Sequence, residues 1–100
     1  MSQATEQDQV TREVIVGSAA GLHARPAAIV VQAAGELDTV VKIAKGERGP
    51  VNARSILRVL SLRAEKGDTV VISAEGTGAR AAVDHIADLV SRELDDGEEA

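Results

Sequence analysis

The sequence contains no cysteine, phenylalanine, tyrosine or tryptophan among its 100 residues. Without cysteine the chain forms no disulfide, carries no thiolate nucleophile and cannot bind zinc or an iron–sulfur cluster through sulfur. Without aromatic side chains it lacks the surfaces on which single-stranded nucleic acids stack. These absences exclude thiol-based redox chemistry and argue against nucleic-acid binding, and the lack of cysteine fits the reducing cytoplasm.

Long hydrophobic runs are also missing. No segment approaches the roughly 18 apolar residues that are needed to cross a membrane, and the charged first 20 residues lack the apolar core of a signal peptide. We therefore expect a cytoplasmic protein that makes no membrane contact. The apolar content is still 44% and almost entirely aliphatic, which predicts one domain with Val and Ile in strands and Ala and Leu on helix faces.

Charge is unevenly distributed along the chain. The net charge of −5 opposes a general affinity for nucleic-acid phosphates. Residues 23–63, however, hold seven Lys or Arg against three Asp or Glu, whereas residues 64–100 hold three against ten. A basic middle segment in an acidic chain is consistent either with a local site for an anion or an acidic partner or with ordinary scatter of surface charge.

The hydrophobic patterns predict seven elements in the order strand, helix, strand, strand, helix, strand, helix. The predicted strands are 10–16, 39–45, 50–52 and 69–74, and the predicted helices run from about Pro26 to Leu37, Ser55 to Leu62 and Ala79 to Leu94. Around them we expect a flexible N-terminal extension over 1–9, a single α+β domain over 10–94 and an acidic tail over 95–100.

The segment GLHARPA (residues 21–27) places a histidine, an arginine and a proline at the predicted start of the first helix. Imidazole is nucleophilic around neutral pH, and a helix N-terminus offers free N–H groups and partial positive charge that suit a phosphoryl group. Arg25 adds a charge-assisted donor, while Pro26 fixes φ at no cost in helical hydrogen bonds. We expect Gly17 and Gly21 to let a partner's active site approach closely. Taken alone, the segment fits equally well a loop histidine that lies near a helix start by chance.

Three segments closely resemble the HPr family, the histidine-containing phosphocarriers of the bacterial phosphoenolpyruvate-dependent sugar phosphotransferase system. They are GLHARPA, RSILRVLSL (54–62) and GDTVVISAEG (67–76), and the resemblance extends over residues 10–94. It implies an open-faced β-sandwich, in which a four-stranded antiparallel sheet is covered on one face by three helices. It also implies a monomeric carrier that is not an enzyme in the strict sense and that needs no metal or cofactor.

The resemblance implies the chemistry of the site as well. His23 would accept a phosphoryl group from enzyme I on its Nδ1 atom and pass it to enzyme IIA of a sugar permease, with Ala24, Arg25 and Pro26 completing the site. The matching docking face would comprise Ala28, Arg54, Ile56, Leu57, Arg58 and Leu60. We expect Ile56 and Leu60 to lie at the boundary of the core and Leu57 to be the most exposed.

Ser55 allows two interpretations. Serine is a favoured helix N-cap, and in some Gram-positive HPr proteins the matching serine is phosphorylated by a dedicated kinase, which weakens acceptance from enzyme I. The chain departs from that subtype at Leu57, Arg58, Leu60 and Arg63. A regulatory module that acts through Ser55, with a serine kinase/phosphorylase or a transcription regulator as partner, and a carrier of the nitrogen-related branch are therefore alternatives to sugar transport. His85 is expected to be structural or to face solvent.

Overall fold

The computed structural model describes residues 9–19 and 21–92. The described strands are β1 (Val10–Ile15), β2 (Val41–Lys45), β3 (Arg48–Asn52) and β4 (Thr69–Ala74), and the described helices are α1 (Ala24–Gly35), α2 (Ile56–Ser61) and α3 (Ala79–Ser91). Their order confirms the predicted α+β arrangement. The predicted extension (apart from Gln9), the acidic tail and Leu94 lie outside the described residues.

The four strands form one antiparallel sheet in the order β1-β4-β2-β3. In β4, Val70 lies opposite Val14 of β1 and Ile72 lies opposite Ile43 of β2, and all four side chains are buried. Side chains alternate between the two faces of a strand, so these residues line the face that the helices cover. Pro50 lies in β3 at the edge of the sheet, where its missing N–H removes no inner hydrogen bond.

Several boundaries differ from the prediction. The second strand begins at Val41 instead of residue 39, and β3 extends back to Arg48 because Gly46, with φ +56°, makes a tight turn possible. The first helix begins at Ala24, two residues earlier than expected, and ends at Gly35. This earlier start is compatible with Pro26, because the proline is then the third residue of the helix and still lies in its first turn. As a result, the helix begins directly after His23.

The core lies between the sheet and the helices and is entirely aliphatic among the described residues. Helix α3 supplies the predicted stripe, and each of its described members is buried: Ala79, Ala82, Val83, Ile86 and Val90. Leu22, the residue before His23, is also 1% exposed and anchors the start of α1 in this core. None of the described helices is both long enough and apolar enough to cross a membrane.

Candidate functional site

His23 is the N-cap residue of α1. Its backbone is extended, with φ −101° and ψ −160°, and its carbonyl accepts the Ala27 N–H at 2.8 Å, which starts the helix. Its side chain forms no capping hydrogen bond and is exposed. Serine, threonine, aspartate and asparagine are the usual caps because their short side chains carry an oxygen acceptor. The imidazole is therefore presented to solvent at a helix N-terminus and is not used to hold the helix.

The first turn of α1 contains Ala24, Arg25 and Pro26. Ala24 and Arg25 are exposed, whereas Pro26 is buried. The first N–H groups of a helix have no partner within it, so the proline removes a donor that the helix does not use. An exposed helix N-terminus and the exposed Arg25 thus follow His23 directly in the chain, and the buried Pro26 anchors this first turn in the core.

The segment before His23 is attached to the end of α3. Gly17 N–H donates to the Val90 carbonyl at 3.0 Å, and Ser18 Oγ donates to the Arg92 carbonyl at 3.0 Å. Ser18 is fully buried. A Cβ at Gly17 would overlap the Ser91 carbonyl, so only glycine fits between this segment and α3.

A second attachment comes from the loop of residues 63–68. Leu22 N–H donates to the Ala64 carbonyl at 2.8 Å. Gly21 has φ +73°, and a Cβ there would overlap Ala64 and Glu65 of the loop. The expectation that Gly17 and Gly21 admit a partner's active site is therefore wrong, because the space beside both glycines is filled by backbone of the chain itself.

The 63–68 loop is in turn held by Lys45 and Asp68. Lys45 Nζ donates to the Arg63 carbonyl at 2.9 Å and lies 3.0 Å from Asp68 Oδ2. Asp68 Oδ2 also accepts the Glu65 N–H at 2.9 Å. This N–H first, and then the Lys45 ammonium, lower the pKa of Asp68 below its ordinary value. Arg63 has φ +55°, the left-handed conformation that glycine adopts without steric cost.

Apolar side chains are exposed on α2. Leu57 is 75% and Ile56 is 37% exposed, whereas Leu60 is half-buried and Val59 lies in the core. Leu57 is thus the most exposed large apolar side chain among the described residues, as the sequence indicates. Because α2 packs against α1 and Ala28 and Arg58 are also exposed, the predicted docking residues contribute to the surface of a pair of helices that touch each other.

Arg54 has a role that the sequence did not indicate. Its Nη2 donates to the Leu37 carbonyl at 2.6 Å and its Nε donates to the Ala34 carbonyl at 3.3 Å. The last carbonyls of a helix have no partner within it, so Arg54 supplies donors to the end of α1. Two of its guanidinium nitrogens take part in this structural contact, although the residue is exposed.

Ser55 is the N-cap of α2, as its sequence position indicates. Its Oγ accepts the Arg58 N–H at 3.3 Å, and its carbonyl accepts the Val59 N–H at 2.9 Å. Ser55 as a residue is half-buried. His85 is exposed on α3 and lines a shallow groove with Ile29 and Glu36, in agreement with the expected solvent-facing position.

Comparison with known proteins identifies the family. A family model described as the PTS HPr component phosphorylation site matches residues 10–92. The chain belongs to the HPr family. Phosphocarrier protein HPr of Streptomyces coelicolor is 47% identical over 85 residues, which cover 85% of this chain and 91% of that protein. Phosphocarrier protein NPr of Shewanella violacea is 34% identical over 88 residues, 88% of this chain and 96% of the relative.

The fold agrees with this family. The crystal structure of phosphocarrier protein HPr from Bacillus anthracis matches with a TM-score of 0.77 and 36% identity, over 82% of this chain and 96% of that chain. The open-faced β-sandwich predicted from the resemblance is therefore confirmed, and this member of the HPr family is a phosphocarrier of the phosphotransferase system. The roles of the individual site residues remain predictions.

Sequence reasoning missed the support behind the site of this HPr. Lys45 and Asp68 are 23 positions apart and belong to no local motif. The available signal was the glycine at 67 followed by an aspartate, which indicated a turn but not its partner. Only the pairing of β2 with β4 brings the lysine to that turn.

Proposed function

We propose that this HPr accepts a phosphoryl group from phospho-enzyme I on His23 and transfers it to the enzyme IIA component of a sugar permease. The observation that carries the proposal is the exposed imidazole at the start of α1, which makes no capping bond although the backbone around it is firmly attached. A side chain that contributes nothing to its own helix, at a position held by neighbouring elements, is well suited to repeated chemistry.

The transfer exchanges one phosphorus–nitrogen bond for another. The lone pair of His23 Nδ1 forms a bond to phosphorus, the bond between phosphorus and the donor histidine of enzyme I breaks, and its electron pair remains on the donor imidazole. The reverse roles apply at enzyme IIA, where the imidazole of His23 is the leaving group. A relay of this kind requires no oxidant, metal or cofactor from the carrier.

The first turn of α1 supplies electrostatic stabilisation. The Arg25 guanidinium forms charge-assisted hydrogen bonds to phosphoryl oxygens, and the helix N-terminus adds free N–H groups and partial positive charge. Ala24 leaves room beside the imidazole, and Pro26 fixes the backbone of the turn. Most of the catalytic apparatus then belongs to the partners, so the protein is a carrier and not an enzyme in the strict sense.

Both partners would dock on the surface formed by α1 and α2. Leu57 and Ile56 provide its apolar centre, Ala28 keeps the neighbouring part of α1 flat, and Arg58 provides positive charge at the rim. Leu60 supports this centre from the half-buried side, and Arg54 orders the adjoining end of α1. An apolar centre with a basic rim complements an apolar patch with acidic surroundings. We place this docking in the cytoplasm, with the carrier acting as a monomer.

Ser55 is a candidate regulatory site of the same carrier. A phosphoryl group on its Oγ would add about two negative charges on the helix that carries Leu57 and Arg58, and it would weaken docking of a partner with an acidic rim. The modification would also disturb the hydrogen bond from the Arg58 N–H. A serine kinase/phosphorylase and a transcription regulator are the corresponding partners. The nitrogen-related branch is less favoured, because the NPr relative is 34% identical and the HPr relative 47%.

The test is a phosphorylation assay with purified protein, enzyme I and labelled phosphoenolpyruvate. We expect one phosphoryl group per chain, labile in acid and stable in base, and its transfer to added enzyme IIA. His23→Ala should accept none, and His85→Ala is the matched control, because it removes the only other histidine from an exposed position on α3. Normal uptake by His23→Ala, or loss of uptake by His85→Ala alone, would refute the proposal.

A further inference from the structure

We infer that Lys45 and Asp68 are positioning residues for phosphoryl transfer at His23, an inference that rests on the function proposed above. The two side chains act on the backbone of the 63–68 loop and not on the phosphoryl group. The loop lies between β2 on one side and the segment before His23 on the other. Lys45 and Asp68 therefore restrain the 63–68 loop, to which the segment that carries His23 is hydrogen-bonded.

A single ammonium group joins the two ends of the 63–68 loop. Lys45 Nζ donates to the carbonyl of Arg63, the first residue of the loop, at 2.9 Å, and lies 3.0 Å from Oδ2 of Asp68, the last. The same Oδ2 accepts the N–H of Glu65 at 2.9 Å. One lysine and one carboxylate oxygen thus restrain the start, the middle and the end of the loop.

The loop supports both ends of the segment that precedes His23. At one end, Val16 donates its N–H to the Asp68 carbonyl at 2.9 Å and accepts the Gly67 N–H at 2.9 Å. At the other end, Leu22 donates its N–H to the Ala64 carbonyl at 2.8 Å. Since His23 follows Leu22 directly, a shift of the Ala64 carbonyl moves the backbone that carries the imidazole.

Ala64 is the one residue of the loop that is buried in the core, and the rest of the loop has little restraint of its own. Arg63 has φ +55°, a conformation that is unfavourable for a residue with a Cβ. Glu65, Lys66 and Gly67 are exposed, so they add no apolar burial. An isolated surface ion pair contributes little, but the Lys45 and Asp68 side chains are only 29% and 35% exposed and also bond to backbone groups. The pair therefore selects one loop conformation among those that the exposed residues allow.

The expected effect is on the rate of transfer and not on docking. An in-line transfer depends steeply on the position of the attacking atom, and small misplacements are costly. Partner affinity, by contrast, would depend on the exposed side chains of α1 and α2, and the 63–68 loop is not part of this surface. Loosening the loop should therefore lower the rate at saturating partner and leave the apparent affinity unchanged.

The test compares Lys45→Met with Lys45→Arg and Lys42→Met. For Lys45→Met we expect a roughly fivefold to tenfold slower single-turnover phosphorylation by saturating phospho-enzyme I, an apparent affinity within about twofold of wild type, and faster amide hydrogen exchange at Leu22. Lys45→Arg keeps the cation and its donors and should restore the rate. Lys42→Met is the matched control, because Lys42 lies on the same strand and lines a separate cleft with Thr39 and Ser73.

Asp68→Asn provides an independent route to the same result. It removes the carboxylate while keeping the side-chain size, and it should slow transfer as Lys45→Met does. Because the two side chains act through one contact, the double variant should be slowed by less than the product of the two single reductions. A wild-type transfer rate in both single variants, an equal loss in Lys42→Met, or a change confined to partner affinity would overturn the inference. Uptake of label by His23→Ala would instead defeat the proposed function, and the exchange at Leu22 reports on the loop in either case.

Discussion

The starts of α1 and α2 are held in two different ways, although the helices pack against each other. At α2, the N-cap residue itself does the work, because Ser55 Oγ accepts the Arg58 N–H at 3.3 Å. At α1, the N-cap residue His23 contributes no side-chain bond. Its position comes from outside the helix, through Leu22, which donates its N–H to the Ala64 carbonyl, and through Gly17, which donates to the Val90 carbonyl.

This difference shows how a helix start can be ordered while its cap side chain stays available. A cap bond formed by the acceptor side chain would have to break whenever that side chain reacts. Backbone hydrogen bonds to a neighbouring loop and to the end of α3 are not altered by chemistry at an imidazole. The order of the α1 start therefore resides in groups that do not react, whereas the order of the α2 start resides in the Ser55 hydroxyl, the group that the proposed regulatory phosphorylation would modify.

The largest effect on phosphoryl uptake is expected when α1 receives the kind of cap that α2 has. His23→Ser removes the acceptor and supplies an oxygen that can accept a first-turn N–H, so we expect phosphoryl uptake to disappear and the free energy of unfolding to rise by about 0.5–1 kcal/mol. Labelled-phosphoenolpyruvate uptake and urea unfolding check the two parts. A variant less stable than wild type would show that the imidazole holds the helix after all.

The contact between the segment before α1 and the 63–68 loop is tested by adding a methyl group at Gly21. Gly21→Ala forces a side chain into a residue with φ +73° and against the Ala64 carbonyl, so we expect a loss of about 2–4 kcal/mol of unfolding free energy and slower phosphoryl uptake. Gly35→Ala is the control at the other end of α1. Apart from the backbone of its own helix and its chain neighbours, no atom lies within 4 Å of the new Cβ, and the variant should gain about 0.5–1 kcal/mol. Equal stabilities would contradict this account.

Much of the fold was predictable because its signals are local. The β-branched runs of β1, β2 and β4, the apolar stripe of α3 and the serine before α2 each indicate their element within a few residues. The place of the candidate site at the start of α1 was predictable for the same reason, since GLHARPA holds the histidine, the arginine and the proline in one segment, whereas its chemistry came only from the resemblance to a family. The early start of α1 was missed because a proline in the first turn does not say which position of that turn it occupies.

The supports of the site could not be predicted because they depend on contacts between distant residues. Gly17 and Gly21 were assigned to a partner's approach, yet each lies against backbone of α3 or of the 63–68 loop. Arg54, which is expected in the docking face, also donates to the Leu37 carbonyl just after α1, a contact that the sequence did not indicate. In each case the residue type indicated a close approach or a charged contact, but the group that the residue contacts is determined only by the packing of the whole domain.

A smaller effect is expected at the start of α2. Ser55→Ala removes the oxygen that accepts the Arg58 N–H and should lower the unfolding free energy by about 0.5–2 kcal/mol, with phosphoryl uptake on His23 retained. Ser55→Asp keeps an acceptor at the cap and adds one charge, so it should preserve stability while slowing transfer from enzyme I. If Ser55→Ala abolished uptake, the two helix starts would not be independent.

The smallest effect concerns the pH dependence of the support behind α1. The Glu65 N–H and the Lys45 ammonium favour the ionised Asp68 carboxylate, so the pKa of Asp68 lies below its ordinary value of 3.8 in the folded chain. A lowered pKa means that this group stabilises the fold above its unfolded pKa and loses the contribution as the pH falls through the folded pKa. The unfolding free energies of wild type and Asp68→Asn, measured from about pH 7 down to pH 2, should therefore converge as the pH falls below 3.8. A difference that stays constant over this range would show that the carboxylate charge does not hold the 63–68 loop.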